Sequence, residues 1–310
     1  MWILIVVLAL ILLILGAAYA TFFIAFYSNP KKTGEILGAP PGDVYKPHYE
    51  RFGQLINEFK EIPFEGVYIK AKDGTKLFAR YYHVRDGAPL QIQCHGYRGS
   101  GYRDFCGGNK IAREMGHNTL LIDQRACGNS GGRAITFGIK ERQDLLCWIN
   151  YAVERFGSEV RIFLCGVSMG GSTVIMVSDM DLPKNVVGIV ADCPFSDPKE
   201  IIAKVSDDLK IPSKLSMPFI RLGARIYGGF NLNEASAINS IKNAKVPILL
   251  IHGEEDGFVP CAMSDALASA AKGKVIYEKF PLANHGISYI IDTDRYQKAT
   301  KSFIDSCINV

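Results

Sequence analysis

The sequence predicts an α/β fold: a mostly parallel, twisted sheet of about eight strands with helices on both faces, a small helical cap, and a transmembrane helix in front. Three observations predict it. From residue 90 onward, strand-length segments alternate with helix-length ones, the rhythm of a doubly wound sheet. Several of the strand-length runs, such as Val246-Pro247-Ile248-Leu249-Leu250-Ile251, are apolar throughout, as strands covered on both faces must be. And the stretch Trp2 to Tyr27 carries no charge and one clearly polar residue, Thr21.

As a helix, that first stretch would run about 39 Å at about 1.5 Å per residue, and a bilayer core needs about 20 apolar residues. The alternative is a cleaved signal peptide, with Ala18-Tyr19-Ala20 as an acceptable small-x-small site. Two features oppose it: no basic residue opens the segment, and the apolar run continues through Phe22-Phe23-Ile24-Ala25-Phe26-Tyr27. Lys31 and Lys32 follow the helix and no basic residue precedes it, so the positive-inside bias puts the remaining chain on the cytoplasmic side. Gly16 is solitary, so no Gly-x-x-x-Gly face is available for pairing with a second copy. The eight cysteines include no Cys-x-x-Cys and no zinc-type spacing with histidine. That usage suits buried thiols in a reducing compartment rather than a disulfide framework.

The expected organisation is an anchor over 1–29, a membrane-proximal lead-in over 30–63 and one domain over 64–310. The lead-in holds Pro30, Pro40, Pro41 and Pro47, with a short helix around His48 to Phe59. The domain opens with a hairpin: Val67 to Lys70 and Lys76 to Tyr82 flank the turn residues Asp73-Gly74. Further strands are expected over 90–94, 118–122, 161–165, 186–191, 246–251 and 274–280, and helices near 102–115, 138–156, 169–180, 260–271 and 287–307. Residues 194–243 are too long for a plain strand-to-helix connection. Two segments there have helical periodicity, Ile201 to Val205 and Met217 to Tyr227, and are expected to form the cap at the sheet's carboxyl edge, where ligands bind in such folds. The chain has 310 residues, enough for one large core, and a net charge of only +4 without basic stretches interleaved with aromatics, so nucleic acid is not an expected partner.

Candidate chemistry centres on Gly166-Val167-Ser168-Met169-Gly170, placed directly after the apolar run Arg161 to Cys165. Gly-x-Ser-x-Gly between a strand and a helix makes a sharp turn that exposes the serine hydroxyl, and the flanking glycines remove side chains that would clash. A serine needs a base, and the base needs an acid to orient it. Downstream there are two histidines. His285, in the turn Asn284-His285-Gly286, is the candidate base; His252, at a strand end, reads as a packed, hydrogen-bonded residue. Asp256 is the candidate acid, with Glu254 and Glu255 as competitors read as solvated. Oxyanion donors are expected from the backbone amides of Met169, next to the serine, and Tyr97, in the turn His95-Gly96-Tyr97-Arg98-Gly99. His95 reads as structural, and the side chains of Tyr97 and Arg98 are expected to line an acyl pocket. Asp123 is expected to hold its own turn by local hydrogen bonds.

With His95-Gly96, Asp123-Gln124-Arg125-Ala126-Cys127-Gly128-Asn129-Ser130, Gly166 to Gly170, His252-Gly253…Asp256…Val259-Pro260 and His285 in this order, the chain from about residue 60 to 310 resembles the α/β-hydrolase superfamily. Within it, the resemblance is to bacterial membrane-anchored, serine-aminopeptidase-like hydrolases. Cys127 departs from that group's usual histidine or aromatic residue. The resemblance implies a Ser168–His285–Asp256 triad acting through an acyl-enzyme on a small ester or acyl substrate, with the membrane as the anchor's partner and no metal or organic cofactor. Amide or peptide hydrolysis, acyl transfer, and a non-catalytic binding module on the same fold stay open.

Overall fold

A computed structural model describes residues 1–29 and 38–308. Lys31, Lys32 and Pro30 lie outside the described residues. Helix α1, Trp2–Ala25, is followed by a 3₁₀ turn, Asp43–His48, and α2, Tyr49–Lys60. The sheet comprises β1 (Glu65–Lys70), β2 (Lys76–Tyr82), β3 (Leu90–Cys94), β4 (Asn118–Asp123), β5 (Ile162–Val167), β6 (Val186–Asp192), β7 (Ile248–Gly253) and β8 (Val275–Phe280). Their order is β1-β2-β4-β3-β5-β6-β7-β8. β1 and β2 are antiparallel, as is the β2–β4 pair; every other pairing is parallel. The hairpin turn is closed by Gly74 at φ 81°, with Thr75 N–H donating to the Asp73 carboxylate at 3.1 Å.

The helices between strands are α3 (Gly101–Asp104), α4 (Cys106–Glu114), α5 (Glu141–Phe156), α6 (Met169–Met176), the cap pair α7 (Pro198–Asp208) and α8 (Ser213–Ile226), α9 (Ala237–Ser240), α10 (Cys261–Ala270), α11 (Ser288–Ile291) and α12 (Thr293–Ile308). Two segments expected as single helices are broken, each for a visible reason. The 102–115 helix divides at Phe105, because the Asp104 carboxylate turns back to accept the Gly96 N–H at 2.7 Å. The 287–307 helix divides at Asp292, whose side chain accepts the Arg295 N–H at 3.0 Å and starts a new helix as its cap. The helix expected from 138 begins at Glu141, which holds the Thr136 and Gly138 amides with its own carboxylate. Met176 ends the one expected to reach 180.

The core lies on both faces of the sheet, with Trp148, Phe163, Phe280 and Phe303 among its fully buried side chains. The parallel register matters most for the site. Cys94, Gly166 and Ala191 are neighbours across β3, β5 and β6, and Asp192 sits beside Ile251 of β7. The loops after these strands therefore leave the sheet at one edge, level with one another.

Candidate active site

Ser168 occupies the turn between β5 and α6 at φ 56°, ψ −120°, a backbone conformation that costs a non-glycine residue about 1–3 kcal/mol. The turn is held by Ser168 N–H donating to Asp192 O at 2.8 Å and Ser172 N–H donating to Ser168 O at 3.0 Å. Its glycines are steric necessities. A Cβ on Gly166 would sit 2.2 Å from Gly170 O, and one on Gly170 would sit 1.9 Å from Cys94 O.

The Ser168 Oγ lies 2.9 Å from His285 Nε2, and His285 Nδ1 lies 2.7 Å from Asp256 Oδ2. An ionised carboxylate only accepts, so Nδ1 carries the proton, Nε2 presents its lone pair, and the serine hydroxyl donates to it. Asp256 Oδ1 accepts the Phe258 and Val259 amides at 2.9 and 2.8 Å. His252 Nε2 lies 3.2 Å from Oδ2. Burial would raise the Asp256 carboxyl, but hydrogen bonds from His252 and His285 outweigh it and hold it well below the usual carboxylate range. Glu254 and Glu255 face solvent. His252 is fully buried, with Nδ1 2.7 Å from Ser264 Oγ and Nε2 2.9 Å from Val259 O, so it packs as expected.

Gly96 approaches the serine so closely that an added Cβ would meet the Ser168 Cβ at 3.2 Å. The Tyr97 amide thus leaves a turn that faces the serine, while the Met169 amide is the first of α6 and has no intrahelical acceptor. His95 is structural: its Nε2 accepts the Gln124 N–H at 3.1 Å, and its carbonyl accepts the Gln124 side-chain amide. Asp123 accepts Arg80 at 2.7 Å and the Asn129 amide at 2.9 Å, holding the turn in which Cys127 is buried. The Cys193 Sγ, Asp256 and His285 donor atoms lie within 4.8 Å of one another. As they stand they do not form a metal cradle, since His285 and Asp256 are spent on each other and burial pushes the Cys193 thiol well up.

Beside Ser168 opens a cavity of about 330 Å³. Its walls are apolar side chains from the cap and loops, including Ile201, Ile202, Ile220, Phe137 and Phe195, together with Tyr97 and Arg98 as expected.

The sequence pattern of the prolyl oligopeptidase family matches residues 134–310, more than half of the chain, and spans Ser168, Asp256 and His285. The chain belongs to the prolyl oligopeptidase family. It is therefore a hydrolase, on the α/β-hydrolase fold that the motifs led one to expect. Full-length relatives are similar too. The chain is 24% identical to YqkD of Bacillus subtilis (strain 168) over 279 residues, 89% of this chain and 88% of that protein. It is 27% identical to YfhR of Escherichia coli O157:H7 over 257 residues, 79% and 82% of the two chains; both relatives are described as uncharacterized. Among solved structures, the Pyrococcus furiosus esterase Pf2001 superposes with a TM-score of 0.66 at 21% identity, covering 91% of this chain and 99% of that one. Est1E from Butyrivibrio proteoclasticus, with ferulic acid bound, gives 0.60 at 20%, covering 79% and 100%.

Three neighbours of the site escaped the sequence reading, and His252, read as packed, makes one contact more. Tyr45, from the 3₁₀ turn before α2, donates its hydroxyl to His285 O at 3.1 Å. Phe258 packs edge-on against the His285 ring at a centroid distance of 5.1 Å. Asp104 fixes the Gly96 turn, and His252 touches the acid as well as packing. Only His252 and Phe258 carried a signal, by standing four residues before Asp256 and two after it.

Proposed function

We propose that the protein is a membrane-anchored serine hydrolase acting on carboxylic esters, with Ser168 as nucleophile, His285 as general base and Asp256 as the group that fixes the imidazole tautomer. The observation that carries this reading is the unbroken hydrogen-bond chain from Ser168 Oγ through both His285 nitrogens to Asp256, at 2.9 and 2.7 Å.

In the proposed reaction Ser168 Oγ bonds to the ester carbonyl carbon as His285 takes its proton, and the Tyr97 and Met169 amides hold the tetrahedral oxyanion. The ester carbon–oxygen bond breaks, and the alcohol leaves with the proton from His285. Water, deprotonated by His285, then bonds to the acyl carbonyl carbon; the bond to Ser168 Oγ breaks, Oγ takes the proton back from His285, and the carboxylic acid leaves. The strained Ser168 backbone and the close approach of the Gly96 turn to the serine support this reading.

The esterase names of Pf2001 and Est1E support an ester substrate, whereas the family description favours a peptide. The pocket supports the ester. Among the described residues lining it no acid is present to hold a peptide amine, and the Arg98 guanidinium donates to Ile24 O and Tyr27 O at 2.9 and 3.0 Å.

Helix α1, long and apolar enough to cross a membrane, is proposed as an uncleaved anchor. Cleavage after Ala20 would strip Ala18 from its contact with Gly223. Lys31 and Lys32 then favour a cytoplasmic catalytic domain. A fluorophosphonate probe should label the wild type at Ser168, and Ser168→Ala should lose both labelling and hydrolysis of p-nitrophenyl butyrate. Labelling that persists on another serine would remove the assignment.

A further inference from the structure

The C-terminal half of α1 does not stand clear of the protein body. Ala18 and Phe22 are buried against α8, where Gly223 comes so close that an added Cβ would lie 2.3 Å from Ala18 O. The Tyr227 hydroxyl donates to Leu15 O at 3.2 Å. At the helix's end, carbonyls that have no intrahelical donor are taken by the turn beside the serine: Tyr97 Oη donates to Ala25 O at 2.8 Å, and Arg98 to Ile24 O. A cation there also suits the negative end of the helix dipole.

The docked half of α1 therefore forms one wall of the pocket, through Thr21, Ile24 and Ala25. Five of the lining residues are exposed and form its rim: Ile24 at 64%, Leu209 at 61%, Ile211 at 51%, Phe258 at 43%, and Arg98, whose guanidinium is held on the α1 carbonyls. Four of the five are apolar, and Ile24 belongs to the helix proposed as the anchor. Further large apolar side chains are exposed on the same two helices: Tyr19 and Phe23 of α1, each about half exposed, and Leu215 and Ile226 of α8. Residues 209–230 contain Lys210, Lys214, Arg221 and Arg225 and no acid. Apolar side chains with a basic fringe suit a helix lying in the headgroup region.

We infer that the pocket opens to the lipid phase, and that the substrate is a membrane-resident acyl ester whose hydrocarbon chain enters between α1 and the cap without crossing water. This rests on the ester-hydrolase reading above. The geometry explains why an exposed mouth can be apolar: in the membrane it faces acyl chains. It also explains why the anchor is tied by hydrogen bonds to the turn that bears the Tyr97 amide.

The test uses the full chain in dioleoylphosphatidylcholine vesicles, with 4-methylumbelliferyl acetate, octanoate and oleate as substrates and fluorophosphonate labelling measured in parallel. Octanoate should exceed acetate in kcat/KM by at least about 30-fold, only a fraction of the roughly 10³-fold that six methylenes at about fourfold each would give on leaving water, because the longer chain already resides in the bilayer. Ile211→Asp should lower the octanoate-to-acetate ratio about tenfold or more, the cost of setting a charge at an apolar rim. Leu215→Asp with Ile226→Asp, off the pocket wall, should lower oleate turnover in vesicles relative to the same oleate in detergent micelles. A flat chain-length profile with Ser168 labelled would overturn the lipid assignment and leave the hydrolase standing. Absent labelling would overturn the hydrolase reading itself. Unchanged ratios in the variants would place the entrance elsewhere.

Discussion

Replacing Asp256 with asparagine tests the proposed chemistry at its least replaceable point. Asparagine keeps the shape but has one accepting oxygen instead of two. The Phe258 and Val259 amides, at 2.9 and 2.8 Å, both point at Oδ1 and need an acceptor there, so the amide oxygen must take that position. The NH₂ then faces His285 Nδ1 at the site where the carboxylate accepted at 2.7 Å. A donor cannot face a donor, so the imidazole shifts its proton to Nε2. That nitrogen now donates toward Ser168 Oγ and can no longer take its proton. Wrong-tautomer variants of this kind lose about 10⁴ in kcat, or roughly 5 kcal/mol of transition-state stabilisation. The assay is kcat for p-nitrophenyl butyrate at pH 7.5, with circular dichroism to verify the fold. A variant within tenfold of wild type would refute the proposed role of Asp256, because no rotamer satisfies both backbone amides and the original tautomer.

Two further outcomes are expected. Gly223→Ala places a methyl 2.3 Å from Ala18 O and must push α1 off α8, at a cost of about 1–3 kcal/mol for overpacking; thermal unfolding of the full chain should show a lower Tm, and an unchanged Tm would mean that the helices do not pack in this way. Asp192 is buried with its Oδ1 unpaired, and burial lifts its carboxyl to about 6 despite the Tyr296 hydroxyl at 3.0 Å. The native state therefore keeps a proton that the unfolded chain releases, so stability should fall as pH rises from about 4 through 6, by roughly 3 kcal/mol for a shift of this size. Burial also lifts the Asp144 carboxyl to about 6, so Asp192→Asn should remove only its own share of that slope in denaturant titrations, and a slope that the substitution leaves unchanged would assign it to other groups.

The fold was legible because its signals are local. Residues 90–94 form a strand over the expected bounds because each one is buried from both faces and therefore apolar or internally paired. Asp73-Gly74 marks its hairpin because glycine is needed at positive φ. Ser168 was visible for the same reason: Gly166 and Gly170 are required by backbone atoms within a few residues or one strand away, and the glycines appear in the sequence. The candidates Asp256 and His285 were legible through order along the chain, and the parallel register of β5 through β8 brings both to the serine's edge. Helix breaks at Phe105 and Asp292 were not legible. Each depends on where one carboxylate points, and periodicity carries no record of that.

The pocket was hidden for a deeper reason. Its floor is assembled from the cap, but one wall comes from a helix that the sequence marks as a separate anchor. A 24-residue helix with one polar residue, Thr21, reads as uniform, and nothing in its pattern separates the buried Ala18 and Phe22 from the largely exposed Phe23 and Ile24. The distinguishing information lies about two hundred residues away, in Gly223, whose missing side chain lets the helices touch. Once that contact forms, the anchor's last carbonyls fall within reach of Tyr97 and Arg98. The helix proposed as the membrane anchor thus also forms part of the pocket wall. On the proposed anchoring, a change of helix tilt would move the pocket wall and the Tyr97 turn together, so kcat as well as KM for p-nitrophenyl butyrate should change with the acyl-chain length of the vesicle lipid.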